Sequence, residues 1–371
     1  MSALFSPYAL GPLALRNRIA IAPMCQYSAT DGNASDWHMM HLVQLATSGA
    51  GLLVIEATAV EDMGRITASD LGLYSDANQA ALVPVLAAIR RYSGIKVAVQ
   101  LAHAGRKASS QVPWQGGQQI APGAPGGWNT VAPSALPHGP TELAPRALDD
   151  AGLARVKAAF VQAAQRAHAL GIDAIELHGA HGYLLHQFLS PLANQRTDAY
   201  GGSLANRMRF PLEVFDAVRA AVPASMPVGI RISASDWVDG GWDMEQSVVL
   251  GQALAQRGCA FMDVSSGGVS PLQKIPLVPG YQVPFAQRIK EACGMPTFAV
   301  GLITEPAQAE AIVATGQADV VALARAMLFS PHWPWQAAAE LGASVDVPPQ
   351  YWRSQPRELK HLFGETTLGG R

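Results

Sequence analysis

Cysteine is scarce: the 371 residues contain 3, Cys25, Cys259 and Cys293, an odd number spread far apart with no CxxC pair. That pattern argues against a disulfide framework, a structural zinc site and a cysteine-ligated iron–sulfur cluster. Charge is scarce too. Asp, Glu, Lys and Arg supply 15% of the chain against 49% hydrophobic residues, which rules out disorder and long acidic or basic tails. With a formal charge of −2 and no cluster of Lys and Arg, nucleic acid is not an expected partner. A membrane is not one either, because no stretch approaches the roughly 20 uninterrupted apolar residues of a spanning helix. The best run, Gly51 to Ala59, is broken by Glu56. The N-terminus lacks a basic segment ahead of an apolar core and is interrupted by Pro7 and Pro12, so no signal peptide is read and the chain is expected to be cytoplasmic. Neither GxGxxG nor a GxxxxGK phosphate loop occurs, which removes the usual sign of a separate dinucleotide domain.

What is present is a regular alternation. Short apolar runs at Arg18–Ala22, Gly51–Thr58, Ile95–Leu101, Asp173–His178, Pro227–Ser233, Ala260–Ser265, Pro296–Val300 and Asp319–Ala324 read as strands. Helical patterns follow them at Asp36–Ser48, Asn78–Arg91, Asp150–Leu170, Leu204–Ala221, Met244–Arg257, Phe285–Ala292 and Glu305–Thr315, with an eighth, Ala326 to Leu341, bending around Pro331 and Pro334. Ser203 and Thr304 are expected caps, and Gly171, Gly258 and Gly316 expected helix ends. Eight β-then-α units predict an α/β protein, a single (β/α)8 TIM barrel over residues 1–371, in preference to a doubly wound sheet. Two segments exceed the plain barrel. Residues 107–145, Gly/Pro-rich with Trp114 and Trp128, form a long loop after strand three and are expected to cap the mouth. Residues 342–371 form a C-terminal tail containing Tyr351, Trp352 and Arg353.

Barrel enzymes carry their chemistry at the C-terminal ends of the strands. Those positions hold Pro23-Met24-Cys25-Gln26-Tyr27, then Ala57, Gln100, His178, Arg231, Ser265-Ser266-Gly267, Gly301 and Arg325. Arg231 on a buried strand needs an acceptor, either Glu176 or Glu56 or a ligand with a carbonyl or anionic ring. Gly267, Gly268 and Gly301 with Arg325 suit a phosphate, although the glycines alone would serve tight turns. His178, His181 and Tyr183 are equipped to bind zinc, hold an oxyanion or donate a proton; the spacing offers His186 as a third ligand only if Leu184–Leu192 is not a packed loop or short helix.

These residues fall in motifs that resemble the old yellow enzyme family of FMN-dependent ene reductases: Ala22-Pro23-Met24-Cys25-Gln26-Tyr27, Gln100-Leu101-Ala102-His103-Ala104-Gly105-Arg106-Lys107, His178-Gly179-Ala180-His181-Gly182-Tyr183, and the long run Asn194 to Arg207. The pair of histidines, Cys25 and Tyr27 resemble the xenobiotic-reductase or thermophilic-like subclass. The resemblance implies non-covalent FMN at the mouth, with Gln100 and Arg231 at the pyrimidine edge, Ala22, Pro23, Met24, Cys25 and Ala57 at the ring, and Gly267, Gly301, Ala324 and Arg325 near the phosphate. Ala324 departs from the pattern, where glycine is commoner. NADPH or NADH would reduce the flavin. An enone, nitroalkene or maleimide would then bind with its activating oxygen on His178 and His181, beside Tyr27, take hydride from flavin N5 and be protonated by Tyr183. Cys25 is read either as a small packing residue or as a tuner of flavin potential. The same resemblance makes the protein a homodimer or homotetramer, with Arg353, and Trp352 beside it, entering a neighbour's site. The rival from another class is a metal-dependent hydrolase or lyase built on His178 and His181.

Overall fold

The computed structural model describes residues 2–364 and 366; the remainder of the expected tail segment lies outside the described residues. Eight parallel strands close into a barrel: β1 (Ile19–Ile21), β2 (Leu52–Ala59), β3 (Lys96–Ala102), β4 (Ala174–Gly179), β5 (Val228–Ser233), β6 (Met262–Ser265), β7 (Thr297–Val300) and β8 (Val320–Leu323). Each pairs with the next, and β8 returns to β1 through Leu323↔Ile21. The strands are short, apolar and buried on both faces, as a parallel sheet covered by helices requires. The doubly wound alternative is thereby excluded.

Helices α1 (Asp36–Ala46), α2 (Asp76–Tyr92), α3 (Asp150–Ala169), α4 (Leu204–Ala221), α5 (Met244–Ala255), α6 (Val283–Cys293), α7 (Pro306–Ala314) and α8 (Trp333–Glu340) surround it. Ser203 caps α4 by accepting from Asn206 N, and Gly171, Gly258 and Gly316 leave their helices with φ of +68°, +77° and +76°. Thr304 is not a cap: the N-cap of α7 is Glu305, because Pro306 takes the first helical position. The expected eighth helix is two, Arg325–Phe329 and α8, parted at Pro331, while Pro334 is tolerated in the first turn of α8.

A feature absent from the sequence reading closes the barrel floor. Tyr8–Leu10 and Leu13–Leu15 form an antiparallel hairpin around Gly11, whose φ of +59° favours glycine. Its Leu10, Leu13 and Leu15 pack into an inner core with Leu52, Val54, Phe261 and Phe298. Gly229 of β5 is part of this layer: a Cβ there would stand 2.5 Å from the Phe261 ring. The larger core lies between strands and helices. With the floor plugged, the opposite end of the barrel is where a ligand can enter.

The segment over that end is folded rather than slack. Val131–Ala132 pairs with Arg146–Ala147, and Trp128 Nε1 donates to Met63 O at 3.0 Å. Arg106 donates to Leu136 O and Pro137 O at 3.2 Å and to Val269 O at 2.7 Å, tying it to the loop after β6.

Candidate active site

Strand register decides which polar groups meet under the mouth. Gln100 on β3 lies beside Glu176 on β4, and its Nε2 donates to Glu176 Oε1 at 2.8 Å. Arg231 on β5 is level with His178 on one side and with Asp263 of β6 on the other. Its ion-pair partner is Asp263, Nε to Oδ2 3.1 Å, rather than Glu176 or Glu56, and the Nε–H makes no aligned hydrogen bond there. Glu56 is engaged elsewhere: it accepts from Gln26 N at 2.8 Å and faces His38 Nε2 at 3.3 Å, anchoring the loop after β1. Asp263 was hidden inside an otherwise apolar strand; a lone acid in such a run was the available signal. Burial pushes both Glu176 and Asp263 upward, Glu176 to about 8, while Arg231 opposes the shift.

The loop after β4 carries the reactive cluster. His181 and Gly182 both turn left-handed, at φ +57° and +73°. This brings the His181 ring within 5.2 Å of His178 (centroid to centroid), with Tyr183 4.9 Å from His178, both edge-on. His178 Nδ1 accepts from Ala180 N at 3.3 Å, so its proton sits on Nε2. His181 Nε2 shares a hydrogen bond of 2.8 Å with Ser265 Oγ. Burial holds both imidazoles well below their ordinary pKa and Tyr183 well above its own, so the cluster is two neutral histidines and a protonated phenol at neutral pH. His186 does not join them. It lies in a short helix, Leu184–Leu189, accepts from Gly182 N at 2.9 Å and contacts Asp236 Oδ1 at 2.9 Å. The zinc reading therefore lacks its third ligand, and no group of three metal-ligating side chains occurs among the described residues.

At the front of the mouth, Tyr27 adopts φ +50° and meets Trp114 of the 107–145 segment edge-on, 5.8 Å between ring centroids. Burial, with Asp70 and Glu56 nearby, pushes the Cys25 thiol well above its usual value, so it stays protonated. Ala22 is held by its N–H on Leu323 O, and Ala57 and Tyr183 line one narrow slot with Ala102 and Ala104. Pro23 and Met24 lie in the irregular segment between β1 and Cys25.

The expected phosphate end is a cavity of about 400 Å³ lined by Arg231, Ser265, Gly301, Ala324 and Arg325. Gly301 has φ +116°, and a Cβ there would stand 2.5 Å from Gln282 Nε2. Ala324 sits at φ −108°, outside the left-handed region that favours glycine. Gly267, at φ +74°, does not line this cavity: its N–H donates to Ser235 O at 2.8 Å. Tyr281 and Gln282 also line the cavity and were not foreseen; Gln282 accepts from Ser266 Oγ at 2.6 Å and donates to Val300 O at 2.8 Å. The donor set fits a flavin mononucleotide. Arg231 faces the cavity with no aligned acceptor among the described residues, Gln100 is fixed by Glu176, and exposed Arg325 opens a helix at the far end.

Trp352 and Arg353 stand apart from this cluster within the chain. They belong to a 3₁₀ turn, Pro349–Ser354, where Trp352 Nε1 donates to Val347 O at 2.9 Å beside Arg16, Thr47 and Gly94, while Arg353 is exposed.

A (β/α)8 barrel with this mouth defines a flavin-binding oxidoreductase. Comparison with known proteins agrees: the profile of the NADH:flavin oxidoreductase / NADH oxidase family matches residues 3–343. The NADPH dehydrogenase of Geobacillus sp. (strain WCH70) is 42% identical over 352 residues, 94% of this chain and 98% of that protein. That of Listeria innocua is 41% identical over 356 residues, 95% and 99% respectively. Among solved structures, morphinone reductase superposes with a TM-score of 0.75 at 29% identity, covering 94% of this chain and 91% of its own, and a form in complex with tetrahydroNAD gives the same score. The chain belongs to the NADH:flavin oxidoreductase / NADH oxidase family, the old yellow enzyme family its motifs resemble. It is an FMN-dependent oxidoreductase with a nicotinamide as reductant. No helix of the described residues is long and apolar enough to cross a membrane.

Proposed function

We propose that the protein is an ene reductase of the xenobiotic-reductase or thermophilic-like subclass, acting on enones, nitroalkenes and maleimides in the cytoplasm. The observation that carries this reading is the facing arrangement of His178, His181 and Tyr183, two neutral imidazoles and a protonated phenol, with His181 and Tyr183 each packed edge-on against His178. Residues 1–371 are read as one FMN-binding unit with 107–145 as its cap. Gln100 and Arg231 would hold the pyrimidine edge, Ala22, Pro23, Met24, Cys25 and Ala57 the ring, and Gly267, Gly301, Ala324 and Arg325 the phosphate; FMN so bound supplies the hydride. His178 Nε2–H and the His181 ring hold the substrate oxygen and stabilise the negative charge that gathers on it. Tyr27 bounds the substrate from the front. Tyr183 delivers the proton to the α-carbon. Among the described residues no three-ligand cluster supports the metal-dependent hydrolase or lyase.

The test is turnover of an enone, nitroalkene and maleimide panel by purified holoenzyme with NADPH and NADH, together with phenol titration of the bound flavin's absorbance. His178→Ala or His181→Ala is expected to weaken phenol binding by roughly 10- to 150-fold, one hydrogen bond of about 1.5–3 kcal/mol. Unchanged phenol affinity in both variants overturns the oxyanion role.

Arg353, exposed and joined to its own chain by the Trp352 anchor, is our candidate for a residue that completes a neighbouring subunit's site in a homodimer or homotetramer, with Trp352 beside it. Mixing Tyr183→Phe subunits with subunits truncated before Pro348 is expected to restore turnover, because one site in each mixed dimer has both Tyr183 and a partner's tail. Verified mixed dimers without recovery return Arg353 to its own surface.

A further inference from the structure

We propose that Lys107 is the fixed positive charge that stabilises the Tyr183 phenolate formed when Tyr183 gives up its proton. This rests on the assignment of Tyr183 as the acid. Lys107 closes the 3₁₀ turn Gly105–Lys107 after β3, and its Nζ lies 5.1 Å from the centroid of the Tyr183 ring, over its face. Its hydrogen-bond partners are both carbonyls, His181 O at 2.9 Å and Gly268 O at 3.1 Å. These two bonds aim the amine from the loops after β4 and β6 without neutralising it. No carboxylate forms an ion pair with it among the described residues. The other groups facing it are Arg106 on its own turn, His178 and His181 on the β4 loop, and His138 and Glu142 on the cap; only Glu142 is an acid.

A half-buried cation with no counter-ion is unfavourable unless a negative charge arrives. During turnover one does. The Tyr183 O–H bond breaks, its proton forms the new C–H bond at the α-carbon, and the electron pair stays on the phenolate oxygen. Water then returns a proton to that oxygen, releasing hydroxide. Lys107 lines the cavity of about 280 Å³ beneath the cap, with Tyr27, Thr67 and His138, where such water has room. Burial first, then Arg106, lowers the Lys107 pKa to about 8, so its charge is present below that pH and lost above it.

The experiment follows reoxidation of the reduced holoenzyme by a cyclic enone across pH. Wild type is expected to slow as pH rises through about 8. Lys107→Met should be slower by roughly 10- to 1,000-fold below that pH, since a neighbouring opposite charge moves a pKa by about 1–3 units, and should lose the alkaline limb. Lys107→Arg, charged throughout, should recover rate and extend the plateau. In a Tyr183→Phe background the Lys107→Met effect should vanish, because no phenolate forms. An equal slowing by Lys107→Met in both backgrounds would make Lys107 a loop tie alone and overturn the proposal. Normal enone rates in Tyr183→Phe itself would instead overturn the assignment of the acid.

Discussion

Tyr183→Phe is expected to slow reoxidation by an enone by about 10²–10⁴-fold, the usual contribution of a positioned general acid. The phenol is the one group of the cluster that holds a transferable proton at neutral pH: burial keeps it well above its ordinary pKa, while the same burial keeps His178 and His181 neutral. Flavin content should persist, because the substitution removes only an oxygen from a ring packed edge-on against His178. A nitroalkene should be less affected, since a nitronate can leave and be protonated by water. Stopped-flow reoxidation with each acceptor separates the two outcomes. An enone rate equal to wild type would remove Tyr183 as the acid and leave the His pair as an oxyanion site without its own proton donor.

Much of this molecule is legible in its sequence, for identifiable reasons. All eight barrel strands appear as apolar runs because parallel strands are buried on both faces, and their C-terminal residues follow directly from that reading. Polar residues whose role depends on a partner across the sheet are less legible. Arg231 is visible as a buried cation, but its contact with Asp263 exists only because β5 and β6 are in the register Arg231↔Asp263. Gln282 lies at the start of α6, far in sequence from the Ser266 and Val300 it joins. The floor hairpin escaped because Pro7 and Pro12 read as breaks, whereas they flank strands of three residues each. Whether Arg353 reaches another subunit depends on an assembly that no single chain specifies.

Asp236→Ala is expected to carry the largest stability loss of any substitution considered, about 3–5 kcal/mol, the range for removing one partner of a buried ionic network. Asp236 is fully buried and accepts from Ser190 Oγ at 2.6 Å and Trp242 N at 2.7 Å, besides meeting His186 Nε2 at 2.9 Å. Through His186 Nδ1 the network holds Gly182 N, at the left-handed turn that sets His181 against His178. A non-glycine residue held left-handed, as His181 is, persists only when its surroundings enforce it. Alanine would leave the Ser190 O–H and the Trp242 N–H without acceptors, and one His186 nitrogen without a partner, in a dry interior. Burial pushes the Asp236 carboxyl up, but the contacts with His186, Ser190 and Trp242 outweigh it and hold the group below its ordinary 3.8. Its stabilisation is therefore complete above that value and lost as pH falls through the lower folded pKa. Thermal unfolding should show a wide gap between wild type and Asp236→Ala at neutral pH, narrowing in acid below about 4. Phenol affinity should fall with stability in Asp236→Ala and recover in part in Asp236→Asn, which keeps one acceptor oxygen. A variant as stable as wild type, with unaltered phenol affinity, would mean that the His181–Gly182 turn is enforced by Lys107, Ser233 and Gln187 without the Asp236 network.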